Sequence, residues 1–323
     1  MLAEVLRAAG IAHPSDGRPL SEDLLFGIAG GIGFCYFVFE YPGWTSLYVS
    51  GSYNALFFEK KGPVQLACER LGIPVRVRQT ASPGAAGKHL REALASAPLV
   101  ALTVDPTHFG LDVPDPLPGV FQQTVAVALA GEGVEMTGLG PSRRLSWDEL
   151  GAARAATGPA RNRLFAITPP SLPVNLETAV RSAIANTVSG LLQPSMTNFG
   201  VPGMRKWVGL LTDTRGRKGW PTLFAAAPDR ALRWTRFWLA GPGTGGSACR
   251  VQYGAFLREA ATVLKEPTLA EIAAEYEALG GEWQRLLGRP DPTAGFGAMA
   301  SDLSAIADHE QAVGRRLAAL FGA

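Results

Sequence analysis

The sequence predicts an α+β protein: an α/β domain with a mostly antiparallel sheet, followed by an all-α domain. Three observations carry that expectation. Up to residue 168 short helical and strand patterns alternate, and two strands, 124–130 and 133–137, are joined by Gly131-Glu132 as a β-hairpin. The run Thr168-Pro169-Pro170-Ser171-Leu172-Pro173 places three prolines in six residues, through which no helix continues. Beyond it the apolar residues recur almost throughout at helical spacing. The predicted division is therefore 1–168 and 169–323, and no internal repeat crosses it.

Taken in order, Leu2, Val5, Leu6 and Ala9 form one apolar helical face that ends at Gly10. Ser21 reads as an N-cap, with Glu22 and Asp23 in the first turn of a helix running on through a glycine-rich stretch. Glycines 27, 30, 31 and 33 would there admit a close neighbour, either backbone or ligand. A strand is expected over 46–50, a helix over 64–71 closed by Gly72, a strand over 75–79 and a helix over 85–95. The apolar strand 100–104 ends in Asp105-Pro106, and a proline-rich loop spans 112–119. After the hairpin, Ser146 with Glu149 has the spacing of a capping box. The second domain reads as helices near 176–192, 203–212, 230–239, 247–264, 268–287 and 295–320.

Composition excludes several classes of function. A hydrophobic fraction of 47% with 18% charged residues belongs to a folded chain with a sizeable core. The net charge of +2 gives nucleic acid no electrostatic footprint, the nearest basic cluster being Arg215, Arg217 and Lys218. Cys35, Cys68 and Cys249 form no C-x-x-C pair and have no histidine at ligand spacing, so reduced thiols and no metal are expected. Residues 24–39 carry no charge, but they are too short for a span of about 20 residues and contain four glycines. A buried core element, no membrane partner, no targeting peptide and a cytoplasmic protein are the resulting expectations.

Gly241-Pro242-Gly243-Thr244-Gly245-Gly246 satisfies a dinucleotide-binding pattern, yet a Trp- and Arg-rich helical segment precedes it where a strand is required. No cofactor is therefore expected. Of the four histidines only His108, just after a strand end, stands where active-site loops usually lie.

A family resemblance rests on longer strings. Pro19-Leu20-Ser21-Glu22 followed by Phe26-Gly27-Ile28-Ala29-Gly30-Gly31-Ile32-Gly33-Phe34 resembles the signature of the butirosin biosynthesis protein H family. Tyr36, Phe39-Glu40-Tyr41 and Arg70-Leu71-Gly72-Ile73-Pro74-Val75 continue it. Asn198-Phe199-Gly200, Lys218-Gly219-Trp220, Gly245-Gly246, Arg250, Tyr253, Phe256 and Leu257 resemble the helical domain that follows in that family. The resemblance implies a papain-like first domain and transfer of an acyl group from a carrier-protein thioester to an amine, an aminoglycoside in the founding case, through a cysteine thioester. That chemistry uses a thiolate activated by an oriented histidine. Here the cysteine's place falls before Met1, Gln122-Gln123 stands where the histidine aligns, and Gly138 or Leu139 falls near the acid. No histidine occurs between Phe109 and Asp308.

The expected function is accordingly a natural-product biosynthesis enzyme that keeps this fold but acts non-covalently on a small or carrier-bound intermediate, by cyclisation, isomerisation or acyl chemistry. Its candidate catalytic residues are Glu40, Cys35, Glu22 and Tyr36, the carboxylates as acid–base groups in apolar surroundings. Candidate binding residues are Asn198, Trp207, Arg250, Tyr253 and His108, with Arg250 suited either to an anionic group or to a structural ion pair. Two alternatives stay open: a non-catalytic scaffold for an acyl carrier protein or intermediate, and an acyltransferase rebuilt on Cys35. A homodimer is the expected assembly to test.

Overall fold

A computed structural model describes residues 1–42, 44–54, 58–114, 121–241, 243–288 and 295–321. Most of the expected proline-rich loop 112–119, and Pro242 of the glycine turn, lie outside the described residues. The chain forms two compact units that do not follow one another in sequence: Met1–Leu25 with Val64–Leu176, and Phe26–Pro63 with Glu177–Ala323.

The first unit is built on a six-stranded, wholly antiparallel sheet. Its helices are α1 (Leu2–Ala8), the start of α2 (Glu22–Ile28), α3 (Pro63–Arg70), α4 (Pro83–Ser96) and α5 (Trp147–Ala155). Its strands are β3 (Val75–Arg78), β4 (Val100–Val104), β5 (Gln123–Ala130), β6 (Gly133–Thr137), β7 (Arg143–Leu145) and β8 (Leu164–Ile167). The sheet order is β3-β8-β4-β5-β6-β7, which places the fully buried β4 near the centre. Val100, Leu102, Val125, Val127, Val134 and Met136 pack there with Leu90 and Leu94 of α4 and Leu150 of α5. The expected hairpin forms in the register Ala130↔Gly133. Ser146 and Glu149 close the capping box in both directions, and Ser82 caps α4.

The second unit joins a two-stranded antiparallel sheet to helices. Strands β1 (Ile32–Tyr41) and β2 (Trp44–Ser52) meet α6 (Leu176–Leu192), α7 (Gly200–Thr212), the short α8 (Trp220–Leu223), α9 (Pro228–Ala240), α10 (Arg250–Leu264), α11 (Thr268–Gly288) and α12 (Gly295–Phe321). The helical periodicity of this region is borne out within a few residues at each end, and α8 adds one turn that the pattern did not show.

Strands β7 and β8 have no counterpart in the expectation, and one expected element takes a different form. The helix opened by Ser21, whose Oγ accepts from Leu24 N at 2.9 Å, stops at Ile28 and does not run through the glycines. Gly30 and Gly31 adopt φ of +124° and +61°, a reversal that residues with a Cβ rarely enter. The chain then leaves as β1, whose Phe, Tyr and Val residues suit a pleated surface better than a helix. The continuous apolar character of 24–39 thus conceals a helix end, a turn and a strand. That glycine turn is also closely packed, since a Cβ on Gly31 would lie 2.7 Å from the ring of Tyr253.

No helix among the described residues is long and apolar enough to cross a membrane. The glycine turn around 241–249 is preceded by helix α9, which rules out the strand–turn–helix context of a dinucleotide site.

Candidate functional site

The nine candidate residues fall into different places. Glu22 and His108 belong to the first unit, and the other seven to the second. Glu22 sits in the first turn of α2, where it accepts from Ala3 N at 3.2 Å and pairs with the Met1 amino group. Its side chain is 54% exposed. His108 is exposed on the 3-10 turn Pro106–Phe109, which Asp105 caps through its Oδ1. Nothing brings the two together. An open depression of the first unit is lined by Gln79, Thr80, Ala81, Gly158 and Arg161, none of which is a candidate.

In the second unit, alternation along β1 separates Cys35 from Tyr36 and Glu40. Tyr36 turns inward against the helices. Its backbone N–H donates to Asn198 O at 3.0 Å, and its hydroxyl accepts from Trp220 Nε1 at 2.6 Å. Its ring stacks on Trp207 with 5.5 Å between centroids, and burial pushes the phenol above the usual tyrosine range. Trp207 is itself stacked on Phe34. Tyr36, Trp207 and Trp220 therefore make an aromatic core. Asn198 accepts from Lys206 Nζ at 2.5 Å through its side chain, and Phe199 beside it bridges to Cys35.

Glu40 lies near the turn end of the hairpin, opposite Thr45. It is 38% exposed and pairs with Arg217 at 2.6 Å. Neither Glu22 nor Glu40 has the apolar surroundings that would suit a carboxyl to acid–base work at neutral pH.

Arg250 resolves one open alternative. Its guanidinium is fully buried and spends its donors inside the unit. Nε donates to Glu310 Oε1 at 2.5 Å, Nη1 to Gly51 O and Ala248 O at 2.6 Å each, and Nη2 to Gly33 O at 2.9 Å. The guanidinium also lies 5.5 Å from the Trp283 ring centre. This is the structural ion pair, made wholly by the chain's own groups. Tyr253, one turn on, is buried against Gly31 and meets Tyr276 edge-on at 5.0 Å.

Cys35 points to the other face of the hairpin, opposite Ser50. It is fully buried, and desolvation pushes its thiol up to about 12, which the Asn54 amide and a Ser50 backbone contact only partly oppose. Asn54 Nδ2 lies 3.8 Å from Cys35 Sγ and 3.4 Å from Tyr48 Oη. No basic side chain contacts the sulfur among the described residues. The arrangement holds a neutral thiol beside an amide and a phenol, and it lacks the base that a nucleophilic cysteine requires. No group of three or more His, Cys, Asp or Glu residues could hold a metal ion among the described residues.

Asn54, Tyr48 and Glu310 were not singled out from the sequence. For Glu310 a signal existed. Leu303, Ile306, Ala307, Val313 and Leu317 mark the buried stripe of α12, and Glu310 falls on it at helical spacing. A charge on such a stripe requires a buried partner.

The chain matches the family described as Butirosin biosynthesis protein H, N-terminal, over residues 1–110. It matches the family described as Domain of unknown function (DUF4872) over residues 148–317, more than half its length. No curated protein matches it.

Proposed function

Since the chain belongs to the butirosin biosynthesis protein H-like family, with a DUF4872 region over most of its second half, we propose that it acts on a small or carrier-bound biosynthetic intermediate without forming a cysteine acyl-enzyme. The observation that carries this reading is the state of Cys35. A thiol with its pKa near 12 is essentially all protonated at neutral pH, and its side-chain neighbour is an amide instead of a base. Attack on a thioester needs the thiolate, so covalent transfer through this sulfur has no local support. The papain-like assignment belongs to the same proposal, supported by the antiparallel sheet of the first unit and its packed helices.

A second reading, a binding or scaffold protein for the intermediate or its carrier, draws on a specific observation. Arg250, Tyr253, Trp207 and Tyr36 are consumed by the core of the second unit, which leaves few of the expected polar groups facing a substrate.

Intact-protein mass after incubation with a panel of acyl-pantetheine thioesters tests the shared premise. The expected result is no acyl adduct, in the wild type or in Cys35→Ala. An adduct present in the wild type and lost in Cys35→Ala would overturn the reading and restore covalent transfer. Substrate turnover by the unacylated protein would then separate enzyme from scaffold.

A further inference from the structure

We propose that the open depression of the first unit is a binding site for the phosphate group of a small organic phosphate ester. The function proposed above gives this place no role, and Cys35 belongs to the other unit. The depression has a volume of about 480 Å³. It is lined by Gln79, Thr80 and Ala81, which lead from β3 into α4, and by Gly158 and Arg161, which follow α5. That is room for a phosphate together with the organic part of an ester.

Three guanidinium groups belong to this wall, and no carboxylate pairs with any of them among the described residues. Arg78, one residue before the lining, is by contrast matched by Glu92 at 2.7 Å. Arg161 is exposed in the lining itself. Arg163 is half-buried and donates from Nε to Gln79 Oε1 at 3.1 Å, which holds its fork beside the lining. Arg154 is 2% exposed and stands behind: its Nη2 donates to Asn162 O at 3.2 Å, and Asn162 Nδ2 donates to Thr80 O at 3.1 Å. Its Nη1 reaches the Ala86 carbonyl at 3.4 Å, and its Nε has no partner among the described residues. Burial pushes this guanidinium down to about 10, since carbonyl dipoles do not replace a counter-charge. An anion bound in the adjoining depression offsets the cost of that buried cation.

The neutral groups agree. Thr80 Oγ1 accepts from Ser82 N at 3.1 Å, which leaves its O–H to donate to a ligand. The lining runs directly into the N-terminus of α4, a helix of 14 residues whose dipole favours negative charge there. A phosphate monoester brings close to two charges and three acceptor oxygens to the Arg161 and Arg163 forks, more than a carboxylate offers.

Isothermal titration calorimetry of the full chain in phosphate-free buffer tests this with phenyl phosphate, inorganic phosphate, benzoate and phenol. Phenyl phosphate should bind, benzoate should bind about tenfold more weakly or less, and phenol should not bind. Inorganic phosphate should compete with phenyl phosphate. Arg161→Gln removes an exposed side chain only, so its far-UV circular dichroism should match the wild type while phenyl phosphate binding falls about tenfold. Arg144→Gln removes the same charge from the edge strand β7 and should leave binding unchanged. No loss in Arg161→Gln, or an equal loss in Arg144→Gln, would overturn the proposal. So would equal binding of benzoate, or the failure of phenyl phosphate to bind whether or not inorganic phosphate does. An acyl adduct on Cys35 would sink the non-covalent reading alone and leave this site standing.

Discussion

Arg250 and Glu310 form a fully buried ion pair, Nε to Oε1 at 2.5 Å, between the first turn of α10 and the middle of α12. The same guanidinium donates to the carbonyls of Gly33 and Gly51, one on each strand of the hairpin. One side chain therefore fastens two helices and both strands of the second unit. Removing Glu310 would strand a cation in the core, which costs about 3–5 kcal/mol in comparable buried pairs. Glu310→Ala should lower the stability of this unit by that order. Urea unfolding followed by tryptophan fluorescence measures it, and a loss below about 1 kcal/mol would show that the pair is dispensable.

Gly51 admits no side chain. A Cβ there would meet Ala248 O at 2.5 Å, and Arg250 already holds the carbonyls of both Gly51 and Ala248. Gly51→Ala should therefore destabilise by about 1–3 kcal/mol through overpacking. Gly62→Ala, with open space around the added methyl, is the matched control and should stay near wild type. Similar denaturation midpoints for the two variants would contradict the packing account.

The three thiols predict a dependence on alkaline pH. Burial pushes Cys35 and Cys68 up to about 12 and Cys249 to about 11, from an ordinary value of 9.0. Each folded pKa is raised, so the stabilisation is complete below pH 9 and is lost as pH rises toward the folded values. The slope is about 1.4 kcal/mol per thiol per pH unit in that window. Urea midpoints should fall between pH 9 and pH 11, and less steeply in Cys68→Ala. A flat profile over that range would contradict the burial of the thiols.

Much of the fold could be read from the chain because its signals are local. Ser146 and Glu149 lie three residues apart, and the second-unit helices repeat their apolar residues every three to four positions. Strand β1 escaped because Gly30 and Gly31 interrupt an unbroken apolar run, and periodicity alone does not divide such a run into helix, turn and strand. The site was less legible, for its pairings are distant. Asn54 reaches Cys35 across 19 residues, Glu310 reaches Arg250 across 60, and Trp220 reaches Tyr36 across 184. Residue type left Arg250 open between holding an anionic group and making a structural ion pair, and only the placement of Glu310 and the glycine carbonyls assigns it to the core.

The interleaving of the two units bears on how the chain is made. Gly33 and Gly51 leave the ribosome 217 and 199 residues ahead of Arg250, which they must meet to complete the second unit. During that interval the hairpin has no helices to cover its inner side. The second unit cannot close as synthesis proceeds and must wait until the chain is nearly released, a late step governed by contacts distant in sequence. A fragment confined to the DUF4872 region would be born without that hairpin, leaving Arg250 two acceptors short. The second unit is therefore completed only when both family segments are present on one chain.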